Sequence, residues 1–190
     1  PLVVHRILVG ERFGYDEQRD VGDFLNCLFA EMHRVEVWAG RAGPCISVGR
    51  SGEPLLCTQL DKLFSYVWEE RARCEVCSRV GVEFGKEWLL QLPAPLDEKE
   101  PASVTEMYME SCRAADKFVY CDGECRKETK HVMQRRLATV PNMLVLQVRE
   151  PANDGSMQRF AVRFEEELRL EWLGKFHLVA VVFHAGSSLK

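Results

Sequence analysis

Two short-spaced cysteine pairs, Cys74-Glu75-Val76-Cys77 and Cys121-Asp122-Gly123-Glu124-Cys125, constrain this chain more than any other feature. Each falls at the end of a predicted strand, where a tight turn lets two cysteines present their sulfurs from one knuckle. Zinc takes four thiolates tetrahedrally, so two knuckles supply a complete structural site. A lone Cys-x-x-Cys is equally the mark of a thioredoxin-like redox pair or of ordinary buried thiols. The presence of two pairs favours a structural zinc on Cys74, Cys77, Cys121 and Cys125. The segment between the pairs then only has to return the chain to the metal.

The remaining four of the eight cysteines carry less. Cys27 and Cys112 fall on predicted helices, where small thiols are common in cores. Cys57 precedes a helix. Cys45 lies in a segment, Ala39 to Pro54, whose glycines and prolines predict an exposed loop. No helical pattern begins just after Cys45 to lower its pKa, so it reads as a loop cysteine. A disulfide framework belongs to short secreted chains, whereas 190 residues that are 46% hydrophobic and 28% charged can build a core without bridges. A reduced, intracellular setting is expected.

Charge and hydropathy exclude other classes. Twenty-five Lys and Arg against 29 Asp and Glu give a net charge of -4, which draws the chain neither to nucleic acid nor to an anionic membrane. A zinc ribbon reading nucleic acid would need a basic stripe around the cysteines, and none is present. The longest apolar run, Leu178–Phe183, is far short of the roughly 20 residues of a membrane helix. Pro1–His5 has no signal-peptide pattern and no initiator methionine, so the sequence reads as internal to a longer protein.

Periodicity supplies the elements. Val21, Phe24, Leu25, Leu28, Phe29 and Met32 share one helix face, predicting a helix from Asp20 to about Arg34, with Asp20 as N-cap and Asp23 in the first turn. Leu60, Leu63, Phe64, Val67 and Trp68 predict a helix running into a strand. Val80, Val82 and Phe84 alternate, as do Trp88, Leu90 and Leu92, and Gly85 between them predicts a hairpin. Ser103-Val104-Thr105-Glu106 is a capping box opening a helix through about Cys112. Met143–Val148 and Phe176–Phe183 predict strands buried on both faces, and Phe160, Val162 and Phe164 alternate. Helices come first and strands afterwards, which favours an α+β fold.

The order of these pieces resembles the ubiquitin-specific proteases, the papain-like deubiquitinating cysteine peptidases. Gln18-Arg19-Asp20-Val21-Gly22-Asp23-Phe24-Leu25, followed by Leu28-Phe29-Ala30-Glu31-Met32, is similar to that family's Gln-x-Asp-Ala-x-Glu-Phe-Leu helix. Leu63-Phe64 and Cys74-x2-Cys77 resemble its entry into the zinc-bearing fingers, and the Ser103 helix with Tyr120-Cys121-x3-Cys125 the return. Pro141–Arg149 resembles the palm strand after the fingers. Phe176–Gly186 resembles the strand and loop preceding the catalytic histidine. The likeness spans roughly residues 13 to 188. Asp23 stands where the family has Glu, Arg149-Glu150 where it has Lys-Arg-Phe, and Phe183 where it often has a polar residue.

The resemblance implies a partial papain-like cysteine peptidase domain with thumb, palm and zinc-bearing fingers. Residues 1–72 would belong to the thumb, 73–140 to the fingers and their insert, and 141–190 to the palm. It implies ubiquitin and ubiquitinated proteins as partners and hydrolysis after ubiquitin's C-terminal glycine. The family's Gly-Asn-Thr-Cys box and Gly-His-Tyr motif are not in these residues, so it implies a catalytic cysteine and histidine outside them. The alternative is a ubiquitin-binding module without catalysis. Asp20 matches the aspartate that holds an arginine of ubiquitin's tail, with Gln18 beside it, while His184 falls on the loop lining the cleft ahead of the true base. His5, His33, His131 and His177 read as structural or surface residues.

Overall fold

Helix and strand are mixed along the computed structural model, which describes residues 21–48, 54–94, 101–149, 161–170 and 173–182. In chain order the described elements are α1 (Val21–Trp38), β1 (Gly43–Val48), β2 (Pro54–Cys57), α2 (Gln59–Phe64), β3 (Tyr66–Cys74), β4 (Val80–Glu87), β5 (Leu89–Pro93), β6 (Ala102–Ser103), α3 (Val104–Ser111), β7 (Ala115–Tyr120), β8 (Glu128–Thr139), β9 (Val145–Arg149), β10 (Val162–Arg163), β11 (Glu167–Leu170) and β12 (Gly174–His177). They fall into two units, one drawn from Pro1–Leu90 and Ala114–Val145, the other from Gln91–Arg113 and Leu146–Lys190. Among the described residues no helix is long and apolar enough to cross a membrane.

In the first unit the apolar face of α1 is its anchor. Phe29 is buried with Leu60 and Leu89, and Leu25, Phe64, Trp88 and Val145 pack around them. The rings of Phe29 and Phe64 stack with centroids 4.9 Å apart. Each such side chain contributes about 1.5–3 kcal/mol by leaving water. The helix runs past Arg34 to Trp38, because its stop signal comes later. Gly40 adopts φ 69°, the Arg41 amide donates to Glu36 O at 2.9 Å and the Gly40 amide to Val37 O at 3.0 Å. This pair of bonds around a left-handed glycine is a Schellman close.

Within Ala39 to Pro54, where glycines and prolines predict a loop, Gly43–Val48 is instead the strand β1. β1 pairs antiparallel with β2, Gly43 opposite Cys57, with an irregularity between Pro44 and Val48. Cys45 therefore lies in a strand, since Ile46 and Val48 favour extended backbone more than the flanking glycines oppose it.

α2 opens on a capping box. The Thr58 hydroxyl accepts from the Asp61 amide at 3.2 Å, and the Thr58 amide donates to Asp61 Oδ2 at 2.8 Å. Asp61 is 1% exposed and serves more than this cap. Lys86 Nζ and His33 Nδ1 each stand 2.8 Å from Oδ2, and Trp88 Nε1 donates to Oδ1 at 2.9 Å. One carboxylate thus joins α2, β4 and the residue before β5, with His33 of α1 beside it. Burial works against its charge, but the bonds from Lys86, the Thr58 amide and Trp88, with the Lys86 charge, outweigh it and hold the carboxyl below its ordinary value.

β3, β4, β7 and β8 form an antiparallel sheet in the order β4-β3-β8-β7. Here the expected hairpin fails. β4 runs straight through Gly85 and pairs with β3 from Arg73↔Val80 to Tyr66↔Glu87, whereas β5 pairs with β9. Gly85 is not a turn residue: it is the register partner of Trp68, whose indole lies against it.

In the second unit Ser103 caps α3, donating its amide to Glu106 Oε2 at 2.7 Å and accepting from the Glu106 amide at 3.1 Å. Val104, Met107 and Tyr108 are the buried face of that helix. β6 pairs parallel with β10, and β11 antiparallel with β12. The strand predicted over Phe176–Phe183 is realised only at its start. β12 ends at His177, opposite the first residue of β11, and the last rung is Leu178 N to Glu166 O at 2.9 Å. Without a further neighbour among the described residues, Val179 and Val182 are 86% and 74% exposed.

Candidate metal centre

The sheet brings the two cysteine knuckles together. β3 ends at Cys74 and returns as β4, and the turn is closed by Ser78 N to Cys74 O at 3.0 Å and Cys74 N to Arg79 O at 2.9 Å. β7 ends at Tyr120 and returns as β8, closed by Cys121 N to Lys127 O at 2.9 Å. In both, the residue after the second cysteine takes positive φ, 59° at Ser78 and 50° at Arg126. The extra residue of the second pair is therefore absorbed within its turn. β3 and β8 are neighbours with Cys74 opposite His131, and Glu75 N donates to Lys130 O at 3.0 Å, so the knuckles sit side by side at one end of the sheet.

The four sulfurs of Cys74, Cys77, Cys121 and Cys125 lie within 4.8 Å of one another. Cys74 and Cys125 are 3.8 Å apart, and Cys77 and Cys121 3.6 Å. A tetrahedron with Zn–S bonds of about 2.3 Å has edges of about 3.8 Å, so the spacing fits a small metal ion. Cys74 and Cys121 are buried and the other two half-buried. A Cβ on Gly123 would stand 3.4 Å from both the Cys121 and Cys77 sulfurs and 2.8 Å from Arg79 Cδ, so a glycine here leaves the cluster its room. At the rim Arg79 pairs with Asp122 at 3.3 Å.

The donor set is chemically poised for a cation. The Cys77 amide and the Thr129 hydroxyl, 3.3 Å from Cys74 Sγ, draw the Cys74 thiol down to about 5. Burial, with the thiols of Cys77, Cys74 and Cys121, pushes Cys125 up to about 12. Thiols this close cannot all ionise unless positive charge lies among them. Among the described residues this is the group of side chains able to hold a metal ion. Cys27 in α1, Cys57 at the end of β2 and Cys112 at the C-cap of α3 do not belong to this group.

Gln18, Asp20 and His184 lie outside the described residues. Of the histidines, His131 is buried with Nδ1 2.9 Å from Thr129 O, and His33 sits against Asp61. Thr129 and Gly123 escaped the sequence reading. Thr129 was within reach of it, since alternate residues of β8 share the face that carries Cys74.

No protein-family model matches the chain, and no curated protein matches it. Among solved structures, the chain is similar to the SAGA Ubp8/Sgf11/Sus1/Sgf73 DUB module bound to ubiquitin aldehyde, with a TM-score of 0.57 and 18% sequence identity. The match covers 80% of this chain and 32% of that chain, so the sequence spans about a third of its neighbour's length. The likeness is one of fold: mixed helix and strand, here with four cysteines gathered at a sheet end.

Proposed function

We propose that the chain is the ubiquitin-recognising part of a ubiquitin-specific protease domain, with a structural zinc on Cys74, Cys77, Cys121 and Cys125. The observation that carries this reading is the pair of knuckles at one end of a four-stranded antiparallel sheet in a chain whose fold is similar to a DUB module bound to ubiquitin aldehyde. The zinc would hold the two turns together and take no part in chemistry. In this reading residues 1–72 belong to the thumb, 73–140 to the fingers and 141–190 to the palm. Attack on the bond after ubiquitin's terminal glycine falls to a thiolate and a histidine outside these residues.

Gln18, Asp20 and His184 are the proposed contacts for ubiquitin's extended tail, Asp20 through a charge-assisted bond to arginine. Calorimetric titration with ubiquitin is the test. Saturable binding is expected, and Asp20→Asn should weaken it by roughly 1–3 kcal/mol at unchanged thermal stability, because asparagine caps a helix about as well as aspartate. A protein that shows no saturable heat with ubiquitin would sink the reading. Equal affinity for the two proteins would remove Asp20 alone.

A further inference from the structure

We infer that Thr129 is a positioning residue for the metal centre, its hydroxyl donating to the Cys74 sulfur and setting how tightly the four cysteines hold their ion. The inference rests on the metal reading of the cluster. Thr129 Oγ1 lies 3.3 Å from Cys74 Sγ, and Thr129 is 5% exposed. Among the described residues, Cys74 is the ligand whose sulfur meets a side-chain hydroxyl. A metal-bound thiolate has no proton to give, so the hydroxyl must be the donor in the loaded site.

The hydroxyl is held on a rigid mount. Thr129 is the second residue of β8, paired with Val119 of β7, and its carbonyl accepts from His131 Nδ1 at 2.9 Å. A carbonyl can only accept, so this bond also fixes the proton on Nδ1. Valine would fill the same volume in this buried position without needing a partner, whereas a buried hydroxyl costs stability unless it is bonded. The sulfur is that partner. A bond to an anionic acceptor is roughly twice as strong as one between neutral groups, so its full effect is felt only when Cys74 is ionised on the metal.

Zinc affinity measured by competition with a chromophoric chelator, on the protein and on Thr129→Val and Thr129→Ser, tests this. Outer partners of metal ligands typically tune affinity by about 10–100-fold. Thr129→Val should weaken zinc binding within that range, and Thr129→Ser, which keeps the hydroxyl, should restore it to within a few-fold. In the cobalt-loaded protein the sulfur-to-metal charge-transfer band should move to longer wavelength in Thr129→Val and stay in place in Thr129→Ser, a readout that lost packing alone does not move. Thr129→Ala serves as the hydroxyl-free variant if valine strains the strand. Equal affinity and an unmoved band without the hydroxyl would overturn the inference while leaving the metal reading intact. A wild-type protein that takes up neither zinc nor cobalt would overturn both.

Discussion

Gly85 lies against the indole of Trp68 so closely that a Cβ built on it would stand 2.2 Å from Trp68 Cζ2. The two are register partners on β4 and β3. The Arg135 guanidinium stands 4.3 Å from the ring centroid. Glu87 accepts from Trp68 Nε1 at 3.0 Å, from Arg135 at 2.7 Å and from the Tyr66 hydroxyl at 2.6 Å. The ring is therefore fixed by its indole nitrogen and cannot easily move aside for a methyl group.

Gly85→Ala should accordingly cost about 1–3 kcal/mol, the range for overpacking a filled site, and should change the Trp68 emission. Gly81, four residues earlier on the same strand, is the control, because a Cβ there meets nothing nearer than Ala72 O at 4.0 Å. Urea unfolding of the two alanine variants checks this. Equal losses would mean that the ring yields freely.

Asp61 should be the costliest polar side chain to lose in the first unit. Asp61→Ala removes the carboxylate to which Lys86 and Trp88 Nε1 donate, and breaking a buried pair in this way costs about 3–5 kcal/mol. The pH dependence has a definite sign. The folded carboxyl is held below its ordinary value of 3.8, so its stabilisation is fully present above that value and is lost as pH falls through the lower, folded one. The stability gap between wild type and Asp61→Asn should shrink below about pH 3.8. Acid release of a bound metal affects both proteins alike and cancels in the difference. A gap that stays constant to the lowest pH would contradict the network.

Removal of one cysteine tests the cluster. The protein purified under reducing conditions should carry one zinc per chain by elemental analysis, and Cys77→Ser should carry none. Structural zinc in small peptides is worth about 10–16 kcal/mol of apparent binding energy, so the knuckles of Cys77→Ser should open to proteolysis while the Phe29–Leu60–Leu89 core keeps its near-ultraviolet signal. A zinc-free wild-type protein whose knuckles resist protease would defeat the assignment.

What the sequence made legible follows the range of the forces involved. The α1 face, the Ser103 box and the turn from α2 into β3 depend on residues a few positions apart, and periodicity or a four-residue motif exposes them. The cysteine cluster spans a long insertion, yet it was visible because thiolate pairs have few other uses at that spacing. The Thr58–Asp61 cap was missed because aspartate stands where glutamate is usual, and its partners Lys86 and Trp88 are 25 and 27 residues away. Gly85 misled for a related reason. Local sequence cannot distinguish a glycine that turns the chain from one that makes room for a ring contributed by another strand. The exposed end of Leu178–Val182 shows that an apolar run becomes a paired strand only where a neighbouring edge accepts its hydrogen bonds.

The four-stranded sheet is clasped at both ends by unlike chemistry. Sulfur gathers at the tip, where Cys74 ends β3, and ring, guanidinium and carboxylate gather at the base, where Tyr66 opens it. Such a sheet resembles a beam on two supports of different material. Loss of an ion from the cysteines would act at the tip and a loss of packing at the base, so either would leave the strands held at the other end. Strand order would then survive long enough for the lost clasp to re-form in its original register.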